Sequence, residues 1–267
     1  MQKLTSSFST KQKPNLNDLI VSINSKKEIL FNKETESFMH SYVSGSSSSY
    51  IKIFENEERS VFLTNESIGE DQRRECIYLS KRHMYSYLTE DSLTLISRAF
   101  QIYDWVYNQR FCSRHGEELS EIKDDLSKSC SQCKTDIFPK MSPCILVAVK
   151  NKGRILLVKH NNEIRTLSTV IAGFVELGET LEECVRREVK EEVGLDVINV
   201  SYVASQSWPF PNQLMMAFSA DALDGQINID NDELLEADWF TSKDLPNIPP
   251  EPSLSNLLIK RTINSLL

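Results

Sequence analysis

The stretch from Gly173 to Gly194 constrains the fold more than any other part of the chain, because it specifies a helix together with both of its ends. Thr180 followed by Glu183 is a capping box, which begins a helix. Gly194 is the residue type that most often ends one. Apolar residues recur at helical spacing between these ends and predict a face buried against a core: Leu181, Cys184, Val185 and Val189.

The same stretch gathers glutamates around one face of the predicted helix. Glu188 and Glu192 are four residues apart and therefore project from the same side, Glu191 lies beside them, and Glu179 precedes the helix. Clustered carboxylates repel one another and raise their own pKa values unless cations neutralise them. Oxygen ligands with room for water suit Mg²⁺ or Mn²⁺. The alternative is a solvated acidic face, which is the commoner fate of glutamate-rich helices.

The full pattern decides against the solvated face. From Gly173 the sequence reads Gly, five residues, Glu, seven residues, Arg-Glu, an apolar residue, one residue, Glu-Glu, one residue, Gly and an apolar residue, with no substitution. This pattern is the Nudix box, and the chain from about residue 141 onward resembles the Nudix hydrolase family. The resemblance implies an α/β/α sandwich with a mixed sheet. It also implies cleavage of a nucleoside diphosphate linked to another group.

The resemblance suggests roles for the four glutamates of the pattern and for its arginine. Divalent ions held by Glu188 and Glu192 are expected to neutralise the diphosphate and to activate the attacking water. Glu191 is a further candidate ligand or base, and Glu179 is expected to help through a water. Arg187 is expected to hold the carboxylates in place through bidentate contacts rather than to touch the substrate.

Two further metal contacts are implied from outside the helix. Glu233 is expected to supply one more carboxylate, whereas Glu236 in the same segment is expected to be a bystander. The resemblance also places the carbonyl of Ala172, just before the box, among the candidate metal ligands.

A second metal site is predicted upstream. Cys112 and His115 form one closely spaced pair, and Cys130 and Cys133 form another after fourteen intervening residues. Three thiolates and one imidazole fill the four positions of tetrahedral Zn²⁺, so the predicted zinc is structural. Two surface turns spaced by chance are the alternative. The remaining cysteines are predicted to be core residues: Cys76, Cys144 and Cys184.

An aromatic, proline-rich segment follows the helix and narrows the substrate. Prolines hold the backbone extended and fix the directions of Trp208 and Phe210, whose rings can stack on a base, while Gln206 can hydrogen-bond a ribose or an amide. The segment resembles the SQPWPFPxS signature of the NudC-like NADH pyrophosphatases, with Ser207 where Pro is usual and Gln213 where Ser is usual. The candidate substrate-binding residues are Gln206, Ser207, Trp208, Pro209, Phe210, Pro211, Asn212, Gln213 and, by family analogy, Phe138.

The chain is predicted to be an α+β protein in three parts. An N-terminal α/β accessory domain covers residues 1–107, a zinc ribbon 108–140 and the Nudix hydrolase domain 141–267. Strands are expected at Tyr50–Phe54, Ser60–Leu63, Pro143–Val149, Ile155–Val158 and Ser201–Ala204, a flexible loop at Ser44–Ser49 and a helix at Ser92–Tyr107.

Composition disfavours nucleic acids and anionic membranes as general binding partners. The formal net charge is −8, so the chain repels nucleic acid and anionic membranes at long range. The sequence has neither an apolar run long enough to span a membrane nor a secretory signal. An intracellular location is expected, cytoplasmic first, with peroxisomal and mitochondrial locations left open.

The leading hypothesis is hydrolysis of NADH, and less well NAD⁺, to a nicotinamide mononucleotide and AMP. Removal of NAD caps from RNA 5′ ends breaks the same bond and stays open, as does hydrolysis of ADP-ribose or coenzyme A. A non-catalytic binding module built on the zinc ribbon would not need intact glutamates. The family resemblance also implies a homodimer.

Overall fold

The computed structural model describes residues 5–43, 49–66, 75–161, 167–210 and 212–266, apart from the side chains of Thr5 and Arg82. Most of the expected Ser44–Ser49 loop lies outside the described residues, and so does Pro211. The chain divides into two compact units, Met1–Lys140 and Met141–Leu267. The proposed boundary between an accessory domain and a zinc ribbon at residues 107 and 108 stays a prediction.

The first unit is built on strands that form one larger sheet and two small ones. The strands are β1 (Thr5–Ser9), β2 (Leu19–Ser22), β3 (Ile29–Asn32), β4 (His40–Ser41), β5 (Ile51–Glu55), β6 (Ser60–Thr64), β7 (Cys76–Leu79), β8 (Lys128–Ser129) and β9 (Asp136–Ile137). The larger sheet has the order β1-β5-β6-β2-β4, while β3 pairs with β7 and β8 with β9. The strands expected from Tyr50 and Ser60 correspond to β5 and β6.

Helices follow β7. The first, α1 (Lys81–Met84), continues into a 3₁₀ turn at Tyr85–Tyr87, and α2 spans Glu90–Tyr103. Thr89 and Ser92 form a capping box that begins α2, two residues before the predicted start. The predicted helix ended at Tyr107, but the α-helix stops at Tyr103 and widens into a π-helical turn, Asp104–Asn108.

The π-helical turn is capped from the segment that contains the second pair of predicted zinc ligands. Lys128 is buried, and its Nζ donates to the carbonyls of Trp105 (2.7 Å), Val106 (3.2 Å) and Gln109 (3.0 Å). A cation at the C-terminal end of a helix satisfies carbonyls that have no intrahelical partner. The end of the long helix therefore depends on a residue far along the chain.

The second unit contains a mixed sheet and two long helices. Its elements are β10 (Ser142–Asn151), β11 (Arg154–His160), β12 (Ile171–Phe174), α3 (Leu181–Val193), β13 (Val197–Pro209), β14 (Asn212–Ala222), β15 (Leu234–Phe240) and α4 (Leu254–Ser265). The sheet order is β13-β14-β10-β11-β15, with β12 paired to β10. Strand β10 runs parallel to β14 and antiparallel to β11 and β12, so the sheet is mixed.

Alternation along β10 places a helix on each face of this sheet. Ile145, Val147 and Val149 pack in a core with α3, whereas Leu146 and Ala148 pack in a second core with α4. Successive side chains of a strand point to opposite faces, which explains this division. The predicted α+β class and the α/β/α sandwich with a mixed sheet are confirmed. Among the residues described, the structure contains no helix long and apolar enough to cross a membrane.

Candidate active site

The helix of the predicted box has the ends that the sequence specifies. Thr180 caps α3: its Oγ1 accepts from the backbone N–H of Glu183 at 3.3 Å, and the Glu183 carboxylate accepts in return from the Thr180 N–H at 2.8 Å. Gly194 ends the helix with a positive φ of 73°, a conformation that glycine adopts without steric cost. Cys184, Val185 and Val189 are buried on the sheet side, and Glu192 is buried as well.

Gly173 allows Glu188 to lie close against β12. A Cβ atom built on Gly173 would lie 1.8 Å from the carboxyl carbon of Glu188, so the carboxylate occupies the space that any other residue would fill. The pKa of Glu188 is raised, chiefly by burial, and the Arg187 guanidinium opposes that rise. The negative charges of Glu191 and Glu233 add to it. This close approach is a structural reason for glycine at the start of the box.

Glu192 is the most buried carboxylate of the cluster. Only 2% of the residue is exposed, and its Oε2 has no hydrogen-bond partner. Burial, followed by the charges of Glu188, Glu233 and Glu191, raises its pKa to about 8. A buried carboxylate oxygen left among like charges is unfavourable unless a cation compensates it. The residues present therefore fit a hard divalent cation, and carboxylate oxygens are the ligands that Mg²⁺ and Mn²⁺ prefer.

Arg187 connects the glutamates to each other. Its Nε and Nη2 donate to the two carboxylate oxygens of Glu179 at 2.8 and 2.9 Å, which is a bidentate contact. Its Nη1 donates to Glu188 at 2.8 Å and to Glu191 at 3.0 Å. Hydrogen bonds from Arg187 hold the pKa of Glu179 at about 2. The contacts expected of Arg187 are present, and the catalytic roles of these residues stay predictions.

The two acidic residues outside the helix have different surroundings. The charge of Glu233 contributes to the raised pKa of both Glu188 and Glu192. Glu236 instead pairs with Lys159 at 3.7 Å, and 72% of its side chain is exposed. Ala172 lies on β12 directly before Gly173. The ligand role of Glu233 stays a prediction, whereas Glu236 lies at the surface.

The aromatic segment forms a hairpin rather than a separate loop. Strand β13 continues past its predicted end at Ala204 to Pro209 and pairs with β14, with Trp208 opposite Gln213. Pro209 lacks an N–H and occupies the last position of the strand, where the ladder ends. The Trp208 and Phe210 rings lie edge to face, with centroids 5.9 Å apart.

The sheet brings this hairpin to the same end as the glutamates. Gln213 pairs with Ser142 on β10, and Gly173 pairs with Ile145 on the same strand. Three residues along a strand span roughly 10 Å. The start of the predicted box and the aromatic hairpin thus both lie toward the beginning of β10.

Three predicted substrate residues have surroundings that their sequence did not indicate. The side-chain amide of Gln206 already bonds to backbone atoms of Pro252 and Leu254. Asn212 has a buried Oδ1 with no hydrogen-bond partner. Phe138 belongs to the first unit, where its side chain is exposed.

The predicted zinc ligands converge in the first unit. One ligand atom from each of Cys112, His115, Cys130 and Cys133 lies within 4.8 Å of the others. Each pair sits on a tight turn, closed by hydrogen bonds from Gly116 N to Cys112 O and from Lys134 N to Cys130 O. Hydrogen bonds, the largest from the Cys133 backbone, lower the pKa of Cys130 to about 6, which favours the thiolate that zinc binds. The cluster fits a closed tetrahedral zinc site.

Comparison with known proteins gives the family. The NUDIX domain model matches residues 140–260. A protein of Vibrio atlanticus named NAD-capped RNA hydrolase NudC is 38% identical over 216 residues, which cover 81% of this chain and 79% of that relative. The chain is a member of the Nudix hydrolase family. A Klebsiella pneumoniae protein of the same name is 43% identical over 63% of the chain, and that alignment spans 66% of the relative.

A solved structure supports the same fold for this Nudix hydrolase. A Nudix hydrolase from Nitrosomonas europaea superimposes with a TM-score of 0.51 at 27% identity, over 58% of this chain and 91% of that one. The relatives in Klebsiella and Vibrio belong to the same NudC group whose aromatic signature the segment around Trp208 resembles. Membership of this group makes the chain a diphosphatase.

Proposed function

We propose that this Nudix hydrolase cleaves the diphosphate bond of NADH, and less well that of NAD⁺, to a nicotinamide mononucleotide and AMP. The observation that carries the proposal is the buried carboxylate oxygen of Glu192, which has no hydrogen-bond partner and whose pKa is raised by burial and by the charges of Glu188 and Glu233. A carboxylate cluster suited to binding divalent cations matches the diphosphate of the substrate, and flat aromatic rings match the two bases that flank it.

Each residue of the carboxylate cluster has a proposed role in the hydrolysis. Glu188, Glu192 and Glu233 would hold Mg²⁺ or Mn²⁺, and the bound ions would neutralise the diphosphate and activate the attacking water. Arg187 fixes the carboxylates of Glu179 and Glu188, so the ligands are placed before substrate arrives. Glu191, which Arg187 also contacts, remains the second candidate for a ligand or a base.

The hairpin supplies the proposed recognition of the bases. The Trp208 ring is held edge to face by Phe210, and a flat ring held in this way can stack on adenine or nicotinamide. The buried Oδ1 of Asn212 is a hydrogen-bond acceptor without a partner in the same hairpin. We also propose that the enzyme works inside the cell as a homodimer and carries one structural zinc per chain.

Removal of NAD caps from RNA is the second candidate, favoured by the similarity to relatives in Klebsiella and Vibrio that are named NAD-capped RNA hydrolases. The bond broken is identical, so the same metal cluster would serve. The net charge of −8 disfavours long RNA as the main substrate, because the phosphates of RNA are repelled at long range.

A substrate panel tests the assignment. Purified protein receives NADH, NAD⁺, ADP-ribose, coenzyme A and NAD-capped RNA, each with Mg²⁺ and with Mn²⁺, and kcat/KM ranks the substrates. We expect NADH to rank first and to yield AMP and the reduced mononucleotide in equal amounts. Fast cleavage of ADP-ribose beside slow cleavage of NADH would overturn the substrate. No cleavage of any compound would favour the non-catalytic module.

A further inference from the structure

Gln206 bridges the aromatic strand and the start of a helix far along the chain. Its Nε2 donates to the carbonyl of Pro252 at 2.9 Å, and its Oε1 accepts from the backbone N–H of Leu254 at 3.0 Å. Leu254 is the first residue of α4. Its N–H is one of the first four that a helix cannot satisfy internally. One amide side chain therefore uses both a donor and an acceptor to hold a single site.

The receiving side of this bridge is well anchored. Ser253 caps α4 by accepting from the Asn256 N–H at 3.2 Å, and its own hydroxyl donates to the Pro250 carbonyl at 2.7 Å. The Asn256 side chain donates to the Pro249 carbonyl at 2.7 Å, and only 5% of the residue is exposed. The first turn of α4 is thus fixed by hydrogen bonds of its own, apart from those to Gln206.

The strand side needs such an anchor. β13 is an edge strand of the sheet, paired on one side with β14. Pro209, the last residue of β13, has no N–H and cannot donate to the ladder at this end of the hairpin. Gln206 lies two residues before Trp208, and side chains two apart on a strand share a face. A tether at Gln206 therefore limits the tilt and position of the Trp208 ring.

We propose that Gln206 is a positioning residue, which orients the aromatic hairpin for the substrate by clamping β13 to the first turn of α4. This proposal rests on the proposed function, from which it takes NADH as the substrate. It assigns the contribution of Gln206 to substrate binding to this clamp, and not to a contact of Gln206 with the ribose or the amide of the substrate. Neither Glu nor Met can replace Gln here. A carboxylate could accept from Leu254 but not donate to Pro252, and a thioether does neither.

Gln206→Met tests the clamp while keeping a side chain of similar length. We expect KM for NADH to rise about tenfold with kcat changed less than about threefold, because placement of the bound base is loosened while the metal cluster is untouched. The amide hydrogen of Leu254 should exchange faster in the variant than in the parent protein. Gln226→Met is the matched control, since Gln226 is exposed in the same unit, and it should alter neither quantity.

Asn256→Ala separates the clamp from a direct contact, because Asn256 anchors the receiving side. It should reproduce the rise in KM, and the double variant should show less than the product of the two single effects. Additive effects, or a KM rise in Gln206→Met with Leu254 exchange unchanged, would overturn the clamp in favour of direct contact. The exchange measurement needs no substrate. Failure of the clamp is thus distinguishable from failure of NADH as substrate.

Discussion

Arg187 is the residue on which the arrangement of carboxylates depends. Its guanidinium contacts Glu179, Glu188 and Glu191 at distances of 2.8 to 3.0 Å. Lysine is a point charge on a flexible stem and cannot reproduce a bidentate contact.

Replacement of Arg187 by lysine should therefore cost activity. We expect Arg187→Lys to lower kcat/KM for NADH by about two orders of magnitude, because the metal ligands lose their fixed geometry. Arg186→Lys is the control, since the Arg186 side chain donates to the Glu182 carbonyl at the exposed side of α3. Steady-state kinetics of both variants makes the comparison. Equal kinetics for the two would show that Arg187 does not organise the site.

Glu192 should make the metal-free protein sensitive to pH. Its pKa is about 8 in the folded protein against an ordinary value of 4.5. As pH rises between these values the unfolded chain gives up this proton while the folded chain keeps it, so the free energy of unfolding falls. Above the folded pKa the loss is complete.

Replacement of Glu192 by glutamine should remove this pH-dependent fall in the free energy of unfolding. With metal chelated, Glu192→Gln should gain stability over the parent protein as pH rises from about 5 to about 8.5, measured by denaturant unfolding. Added Mn²⁺ should stabilise the parent protein more than the variant. Glu182→Gln, on the exposed side of the same helix, should leave the pH profile unchanged. Parallel profiles for Glu192→Gln and the parent would contradict the burial of this charge.

Spacing in the sequence predicted that Glu188 and Glu192 share one face, because helical geometry fixes this relation. It could not predict how deeply each is buried. The burial depends on how closely α3 approaches β12 at Gly173, which is a matter of tertiary packing. The sequence could not predict the hydrogen-bond partners of Gln206 either, because they are backbone atoms 46 and 48 residues further along the chain.

At the scale of elements, local signals were the reliable ones. The capping box and the terminal glycine predicted both ends of α3. The extension of β13 to Pro209 was missed, because it depends on pairing with β14, which the local sequence does not reveal. The end of α2 was also missed, since the cap is Lys128 from another segment.

The two turns that carry the predicted zinc ligands should hold a zinc ion. We expect the parent protein to contain roughly one zinc per chain. The Cys130→Ser variant should lose this zinc, and its first unit should unfold at lower temperature. Cys76→Ser should keep its zinc, because Cys76 lies on β7 outside the cluster. Metal analysis of gel-filtered protein and thermal unfolding provide the measurements. Full zinc content in Cys130→Ser would remove Cys130 from the ligand set.

At the scale of the whole molecule, the two halves of the sequence differed in how much they revealed. The fold of residues 141–267 could be predicted because their sequence resembled a family. The alternating side chains of β10, which pack against α3 on one face of the sheet and α4 on the other, confirm a helical layer on each side. Residues 1–107 offered apolar strands and one helix but no group of chemistry-bearing side chains. Their division from the zinc ribbon stays a prediction, since residues 1–140 form one compact unit.

The most direct test of the account compares the parent protein with Glu192→Gln on NADH and Mg²⁺ or Mn²⁺, with release of AMP followed by chromatography. The account predicts steady AMP release by the parent and a loss of at least about a hundredfold in Glu192→Gln, because a neutral amide lacks the negative charge of the carboxylate and binds a divalent cation more weakly. Circular dichroism should show that the variant remains folded. Undiminished AMP release by a folded Glu192→Gln protein would contradict the claim that these buried carboxylates perform the hydrolysis.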